Sequence, residues 1–407
     1  MLRLTAHRAR GAVGAAVLAG LAASALVACT PPGKFETKAD IQPARPDAPV
    51  VLTVLDGSGD LSSGGKVIFE NFKKAHPELV KDILYEEAGA PDVVGKIRAQ
   101  ALAGKVSISI VLGGADVLGS MQKENIATPL LPENQASLPK LAALQDPPRR
   151  GLQAIARGSG ILNSFTPSGP LLEYQSTSVP DPPRTPATLL AWAKAHPGKF
   201  GYAQPNNSGP GRTFLMSLPY MLHDKDPQDP VNGWDKTWAY LKELGRYVSS
   251  YPSSTTILNK QLADGTLAIV TTQAAFDVGQ HQNGTFAASI RPAMFTDQQW
   301  VSDGHFMIVP RGVSAQTLYV DMQFMSYLLT PAQQVQNFAT GSITTAIKTV
   351  SPSMAAPAAR RVIEKFGRPD FYTRAFKTGP IHAPLRPDRL QQAFDKWQRE
   401  VGSRVGT

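Results

Sequence analysis

The chain of 407 residues carries 41 Lys and Arg against 32 Asp and Glu, a formal charge of +9, with 42% hydrophobic residues and one cysteine. That length exceeds one ordinary hydrophobic core and predicts two domains, while a single cysteine excludes an internal disulfide framework. The mildly basic balance suits a surface near anionic lipid. With no Lys/Arg run interleaved with aromatic residues, the chain lacks the footprint of a nucleic-acid partner.

Arg3, Arg8 and Arg10 precede an apolar stretch over residues 11–27 that is too short and too rich in Ala and Gly for a good spanning helix, so residues 1–28 read as an export signal. The run Leu26-Val27-Ala28-Cys29 that closes it resembles the bacterial lipobox. The resemblance implies that the Cys29 thiol takes a diacylglycerol, that the chain is cut before it, and that the protein stays anchored on the outer face of the cytoplasmic membrane. An unpaired thiol in an oxidising compartment is otherwise a liability, and lipidation accounts for it. Residues 29–48, rich in Pro, Lys and Asp, read as a flexible tether.

Residues 50–55 form the first predicted strand, followed by Asp56-Gly57-Ser58-Gly59 and a helix with Ile68, Phe72 and Ala75 on one face, stopped at Pro77. Residues 83–87 predict a second strand, Asp92 caps a helix carrying Val93, Ile97 and Ala101, and residues 107–112 predict a third strand ending in Gly113-Gly114-Ala115-Asp116. Strands alternating with helices imply parallel βαβ units. Residues 147–170 are weakly patterned. A second α/β stretch opens at Thr185-Pro186, continues through a strand over residues 200–203 and the loop Pro205-Asn206-Asn207-Ser208-Gly209-Pro210-Gly211, and enters a helix from Arg212. A helix around Trp238, Leu241 and Leu244 and a strand over residues 267–272 follow. Residues 306–309 predict a strand, Met322, Met325 and Leu329 share a helical face, and Thr330-Pro331-Ala332-Gln333 predicts a capped helix restart. The tail is an amphipathic helix with Leu390, Phe394, Trp397 and Val401 on the face expected to dock on the body.

Several of these pieces, in this order, resemble the extracellular solute-binding proteins of ABC importers. They are Phe69-Glu70-Asn71-Phe72-Lys73-Lys74-Ala75-His76-Pro77, Val111-Leu112-Gly113-Gly114-Ala115-Asp116, Pro182-Pro183-Arg184-Thr185-Pro186 and Leu262-Ala263-Asp264-Gly265-Thr266-Leu267-Ala268-Ile269. The most specific is Gly304-His305-Phe306-Met307-Ile308-Val309-Pro310 followed by Phe324-Met325-Ser326-Tyr327-Leu328-Leu329-Thr330-Pro331-Ala332-Gln333, with Thr330 and Ala332 standing where the family commonly has Ser and Glu. The resemblance implies an α/β, two-lobed periplasmic-binding-protein-like fold of type II with an interlobe cleft and C-terminal helices. Residues 49–158 plus 303–345 are then one lobe and residues 159–302 plus 346–407 the other. It implies a monomer that binds a small-molecule ligand and hands it to an ABC permease and ATPase, with no cofactor.

In open α/β sheets, ligands sit beyond the carboxyl ends of strands, where helix N-termini offer free N–H groups. Three loops meet that description. The candidate ligand-binding residues are Asp56, Gly57, Ser58 and Gly59 in the first, Gly113, Gly114 and Asp116 in the second, and Asn206, Asn207, Ser208, Arg212 and Thr213 in the third. Gln273 and Asp277 follow the strand that ends at Thr272. Gly, Asn, Asp and Ser are also ordinary turn residues, and Arg212 suits either an anionic ligand group or a structural carboxylate. Trp234, Trp238 and Trp300 are stacking candidates, although helical spacing assigns Trp238 to the core. The loop before Lys66 is no phosphate loop, since Asp60 stands where Gly is required and Val67 where Ser or Thr would hold magnesium. The seven histidines contain no pair at i, i+4, so a metal is not expected. No Gly-x-Ser-x-Gly elbow occurs, and catalysis is not expected. An extracytoplasmic hydrolase and a non-transporting ligand sensor stay open as alternatives. Polyamine, thiamine-like heterocycle, sugar or polyol, and small anion are all compatible ligands.

Overall fold

The structure, a computed structural model, describes residues 41–61, 65–274, 276–340 and 345–404. The export signal and Cys29 lie outside the described residues. Among those described, no helix is long and apolar enough to cross a membrane.

The chain forms strands β1 (Val50–Asp56), β2 (Val80–Glu87), β3 (Ile110–Gly113), β4 (Ile161–Leu162), β5 (Thr166–Gly169), β6 (Leu171–Gln175), β7 (Phe200–Gly201), β8 (Ile269–Thr272), β9 (Ile290–Ala293), β10 (Trp300–Asp303), β11 (Phe306–Ile308) and β12 (Ile381–His382). They make a five-stranded sheet in the order β2-β1-β3-β11-β4, a four-stranded sheet β7-β8-β6-β9, and a short sheet β12-β10-β5. Strand β1 is parallel to both β2 and β3, as the βαβ reading requires, whereas β11 joins β3 and β4 antiparallel. An interior strand of its sheet, β1 buries Leu52, Val54 and Leu55 completely and Thr53 nearly so, as a strand covered on both faces does.

Helix Lys66–Ala75 follows β1, and helix Ala315–Leu328, from the far end of the chain, packs on it: Phe69 stacks on Phe324 at 4.1 Å between ring centroids, and Phe72 meets the same ring edge-on at 5.3 Å. The second sheet is attended by helices Pro186–Ala195, Gly209–Met221, Asp235–Gly245 and Thr255–Ala263. Thr185 caps the first of these reciprocally with Thr188, as Thr-Pro at a helix start predicts. Leu390, Phe394, Trp397 and Val401 are all buried, so the C-terminal helix Pro387–Glu400 docks on the body through the expected face. Its Trp397 meets Tyr202 and Tyr251 edge-on and donates its indole N–H to the Tyr202 hydroxyl at 3.0 Å.

Local expectations fail where short elements or side-chain competition decide. Helix Ala90–Leu102 begins before Asp92, with Gly89 at its N-cap, so Asp92 lies in the first turn and complements the helix dipole instead of capping. Thr330 donates its hydroxyl to the Tyr327 carbonyl rather than capping forward, and the restarted helix Pro331–Gln334 runs only four residues. The weakly patterned residues 147–170 contain helix Pro147–Ala154, β4 and β5. Strands of two and four residues are too short to display a period.

Candidate functional site

Two of the short strands lead out of the five-stranded sheet. From β4 the chain reaches β5 through residues 163–165, and from β10 it returns to β11 through Gly304-His305. The two crossings are bound together: the Asn163 and Ser164 amides donate to the His305 carbonyl at 2.8 and 3.3 Å, and the His305 amide donates to Ser164 Oγ at 3.1 Å. A Cβ at Gly304 would overlap the Ser164 carbonyl oxygen, so this approach requires glycine. A third passage lies beside them. The Thr345 amide donates to the Phe165 carbonyl at 3.3 Å, and Gln334 bridges from the Asn163 carbonyl (3.2 Å) to the Ala346 amide (2.7 Å).

Beside these crossings Ser208, the N-cap of helix Gly209–Met221, accepts from the Gly211 amide. One turn in, Arg212 is buried and bridges two carboxylates, Asp116 at the start of helix Ala115–Lys123 (3.2 Å) and Asp303 at the end of β10 (3.0 Å). Burial opposes the guanidinium charge, but the two aspartates outweigh it and hold Arg212 firmly protonated. Gln273, after β8, donates to Ser168 Oγ at 2.6 Å and Asp303 Oδ2 at 3.1 Å. Gly114 also belongs here, since a Cβ on it would lie 2.7 Å from Asp116 Oδ1. Two buried polar atoms of the cluster have no hydrogen-bond partner: Arg212 Nε, and the hydroxyl of Thr166, which stands opposite Asp303 in the β5/β10 pairing.

His305, on the crossing itself, pairs through Nδ1 with Asp60 at 2.7 Å, and Asp60 also accepts from Asn163 Nδ2 at 2.9 Å. Burial disfavours the imidazolium, yet the Asp60 carboxylate overrides it and raises the His305 pKa from 6.5 to about 9. Burial likewise opposes the Asp60 charge, and His305 with three hydrogen bonds still lowers that carboxyl below its ordinary range. A raised folded-state pKa contributes stability that is complete below the unfolded value and is lost as pH rises through the folded one. The stability difference between the wild type and His305→Asn, read from urea midpoints, is therefore expected to shrink as pH rises from 6.5 to about 9. A difference unchanged across that interval would show the pair to be uncoupled from folding.

Of the residues expected at the site, Gly114, Asp116, Arg212 and Gln273 are brought together, and Ser208 supports them from the helix start. Asp56 is consumed by its own loop: Oδ1 accepts from the Ser58 amide and hydroxyl and the Gly59 amide, and Oδ2 from the Leu61 amide. Gly57 and Gly113 face packing neighbours, where a Cβ would press on Val93 and Val117. Asn206 and Asn207 are exposed on a 3-10 turn, and Asn207 holds the Ser253 carbonyl at 2.6 Å. Thr213 is turned into its helix, donating to the Gly209 carbonyl. Trp234, Trp238 and Trp300 are core residues. Asp277 lies in a different cluster with Glu173, His281, Arg368 and Tyr372. Sequence reasoning missed Asp60, Asn163, Ser168, Asp303 and His305. No local signal marks them, since Gly304-His305 follows Trp300-Val301-Ser302-Asp303, a stretch that is half polar. A surface depression beside helix Lys66–Ala75, lined by Ala48, Glu70, Lys73 and Lys81, shares no residue with the Arg212 cluster, and its Lys73 is already paired with Asp82.

The family model described as bacterial extracellular solute-binding protein matches residues 68–361. No curated protein matches the chain. Among solved structures, an ABC transporter substrate-binding protein from Bradyrhizobium japonicum superposes with a TM-score of 0.62 at 15% identity, covering 86% of this chain and 99% of that one. The spermidine/putrescine ABC transporter substrate-binding protein of Streptococcus pneumoniae gives 0.57 at 14% identity, over 86% and 99%. A periplasmic thiamin binding protein gives 0.59 at 14% identity, over 89% and 99%. These likenesses establish the two-lobed periplasmic-binding fold.

Proposed function

The chain belongs to the bacterial extracellular solute-binding protein family, and we propose that it captures a small, positively charged ligand at the Arg212 cluster by lobe closure and hands it to an ABC permease and ATPase. Residues 49–158 with 303–345, and 159–302 with 346–407, act as the lobes, with β4 carried along in the first because it pairs there with β11. The protein works as a monomer, exported and held at the membrane through lipid on Cys29, and turns over no substrate.

The carrying observation is the ion-pair bridge at the crossings: Arg212 rises from the helix beside one sheet and meets Asp116 in the first turn of the helix that follows β3 of the other. A ligand entering there reorganises charges drawn from both sides, and differential contact of that kind shifts an open-to-closed equilibrium. Asp60, Asp116 and Asp303 face two cations, Arg212 and His305, so the cluster carries surplus negative charge. A protonated amine or cationic heterocycle complements it. The unpartnered Thr166 hydroxyl adds a polar contact. Two proteins of the same fold bear spermidine/putrescine and thiamin in their names, which agrees with this reading.

A thermal-shift screen with spermidine, thiamin, a hexose, a polyol and inorganic phosphate tests the proposal. A bound cation at about 100 times its Kd adds about 2.7 kcal/mol to stability, an easily read rise in Tm. Asp303→Asn is expected to abolish the rise while leaving the protein folded. A shift only with sugar or phosphate would overturn the charge argument, and a shift that survives Asp303→Asn would move the site elsewhere.

A further inference from the structure

Glu173 lies in the middle of β6 and is fully buried, and neither of its carboxylate oxygens has a hydrogen-bond partner. Within 4.8 Å of one another lie ligand atoms of Glu173, Asp277 and His281. Asp277 and His281 stand four residues apart on helix Phe276–Gln282, so they present their side chains on one face. His281 Nδ1 lies 3.2 Å from the Phe286 carbonyl, which draws the proton to that nitrogen and leaves Nε2 as a lone pair turned to the cluster. Histidine metal ligands are oriented by a backbone carbonyl in the same way.

We propose that Glu173, Asp277 and His281 bind a divalent cation of the zinc or manganese class, and that Arg368 fills the place of the cation in the metal-free protein. Arg368 donates through Nη2 to His281 Nε2 at 2.9 Å and to the Ile290 carbonyl at 2.7 Å, and through Nε to Asp277 Oδ2 at 3.1 Å. It satisfies His281 and Asp277 but makes no hydrogen bond to Glu173, and one guanidinium faces two carboxylates. A dication takes up the Glu173 oxygens that Arg368 leaves without a partner. The Arg368 side chain is 27% exposed, so it has a path to water when displaced. Two oxygen donors, one imidazole and a position left for water form a set that suits zinc or manganese, whereas calcium prefers six to eight oxygens.

The full chain, freed of metal by a chelator and free of any tag, is titrated calorimetrically with Zn2+, Mn2+ and Ca2+. One Zn2+ or Mn2+ per chain is expected, with no measurable Ca2+. Glu173→Gln, which keeps the shape of the buried side chain, and His281→Ala are expected to weaken binding by more than the roughly 10–100-fold that loss of a group orienting a metal ligand costs. Arg368→Ala is expected to tighten it by removing the competitor. Thermal melts establish that each variant is folded. Failure of both the wild type and folded Arg368→Ala to bind Zn2+ or Mn2+ overturns the proposal, as does binding that neither ligand substitution weakens.

Discussion

Replacing Arg212 by alanine is expected to destabilise the protein by about 3–5 kcal/mol, the cost of leaving buried carboxylates without their cation. Asp116 and Asp303 would face each other across the vacated space, and Gln273 alone offers Asp303 a side-chain donor there. The measurement is the urea midpoint at constant slope, with Asp303→Asn and the double variant completing a cycle. If the bridge is a single unit, the double variant loses much less than the sum of the two single losses. A loss under about 1 kcal/mol for Arg212→Ala would mean that water screens the pair as it does at a surface.

Gly304→Ala is the second large effect, expected to cost about 3 kcal/mol or more, since the added methyl meets backbone and not a side chain that can rotate away. The Ser164 carbonyl lies where that methyl must go, and the Leu152 side chain closes the other direction at 3.0 Å. Relief requires parting the crossings, which breaks the hydrogen bonds from Asn163 and Ser164 to His305. The control is Gly95→Ala, in the middle of helix Ala90–Leu102 with nothing within 4 Å of its Cβ. Helix propensity predicts a stabilisation there of up to about 1 kcal/mol. If both alanines behave alike in urea unfolding, the close approach at the crossing does not contribute to stability.

Much of the fold was legible because it follows from short-range pattern. The buried run that became β1, the i, i+4 pair of Ile68 and Phe72 (though not Ala75, which is exposed), the Thr185-Pro186 start and the docked face of the last helix each express a period or a cap that neighbouring residues impose. The candidate site was legible only in part. Arg212 and Asp116 stand at helix starts next to glycine, a position with a recognisable signature. Asp60, Asn163, Ser168, Asp303 and His305 come from three separated segments, and nothing near any of them marks it as a partner of the others. Asp56 and Thr213 have the right chemistry in the right loops, yet their own backbone claims them first: the Asp56 oxygens collect the amides of a tight turn, and the Thr213 hydroxyl turns back onto its helix.

The sequence by itself determined the alternation of strands and helices and the stretches that carry each core. All of these depend on contacts or conformations within a few residues. Tertiary structure alone decided which charges meet. Asp116 and Arg212 are brought within 3.2 Å, Asp60 and His305 within 2.7 Å, and Glu173 is set beside Asp277 and His281. The physical reason is that an ion pair constrains two points in space and leaves no trace in the spacing of the chain between them. The strands β4, β5, β10 and β11 close these distances when they pair, and they are too short to announce themselves.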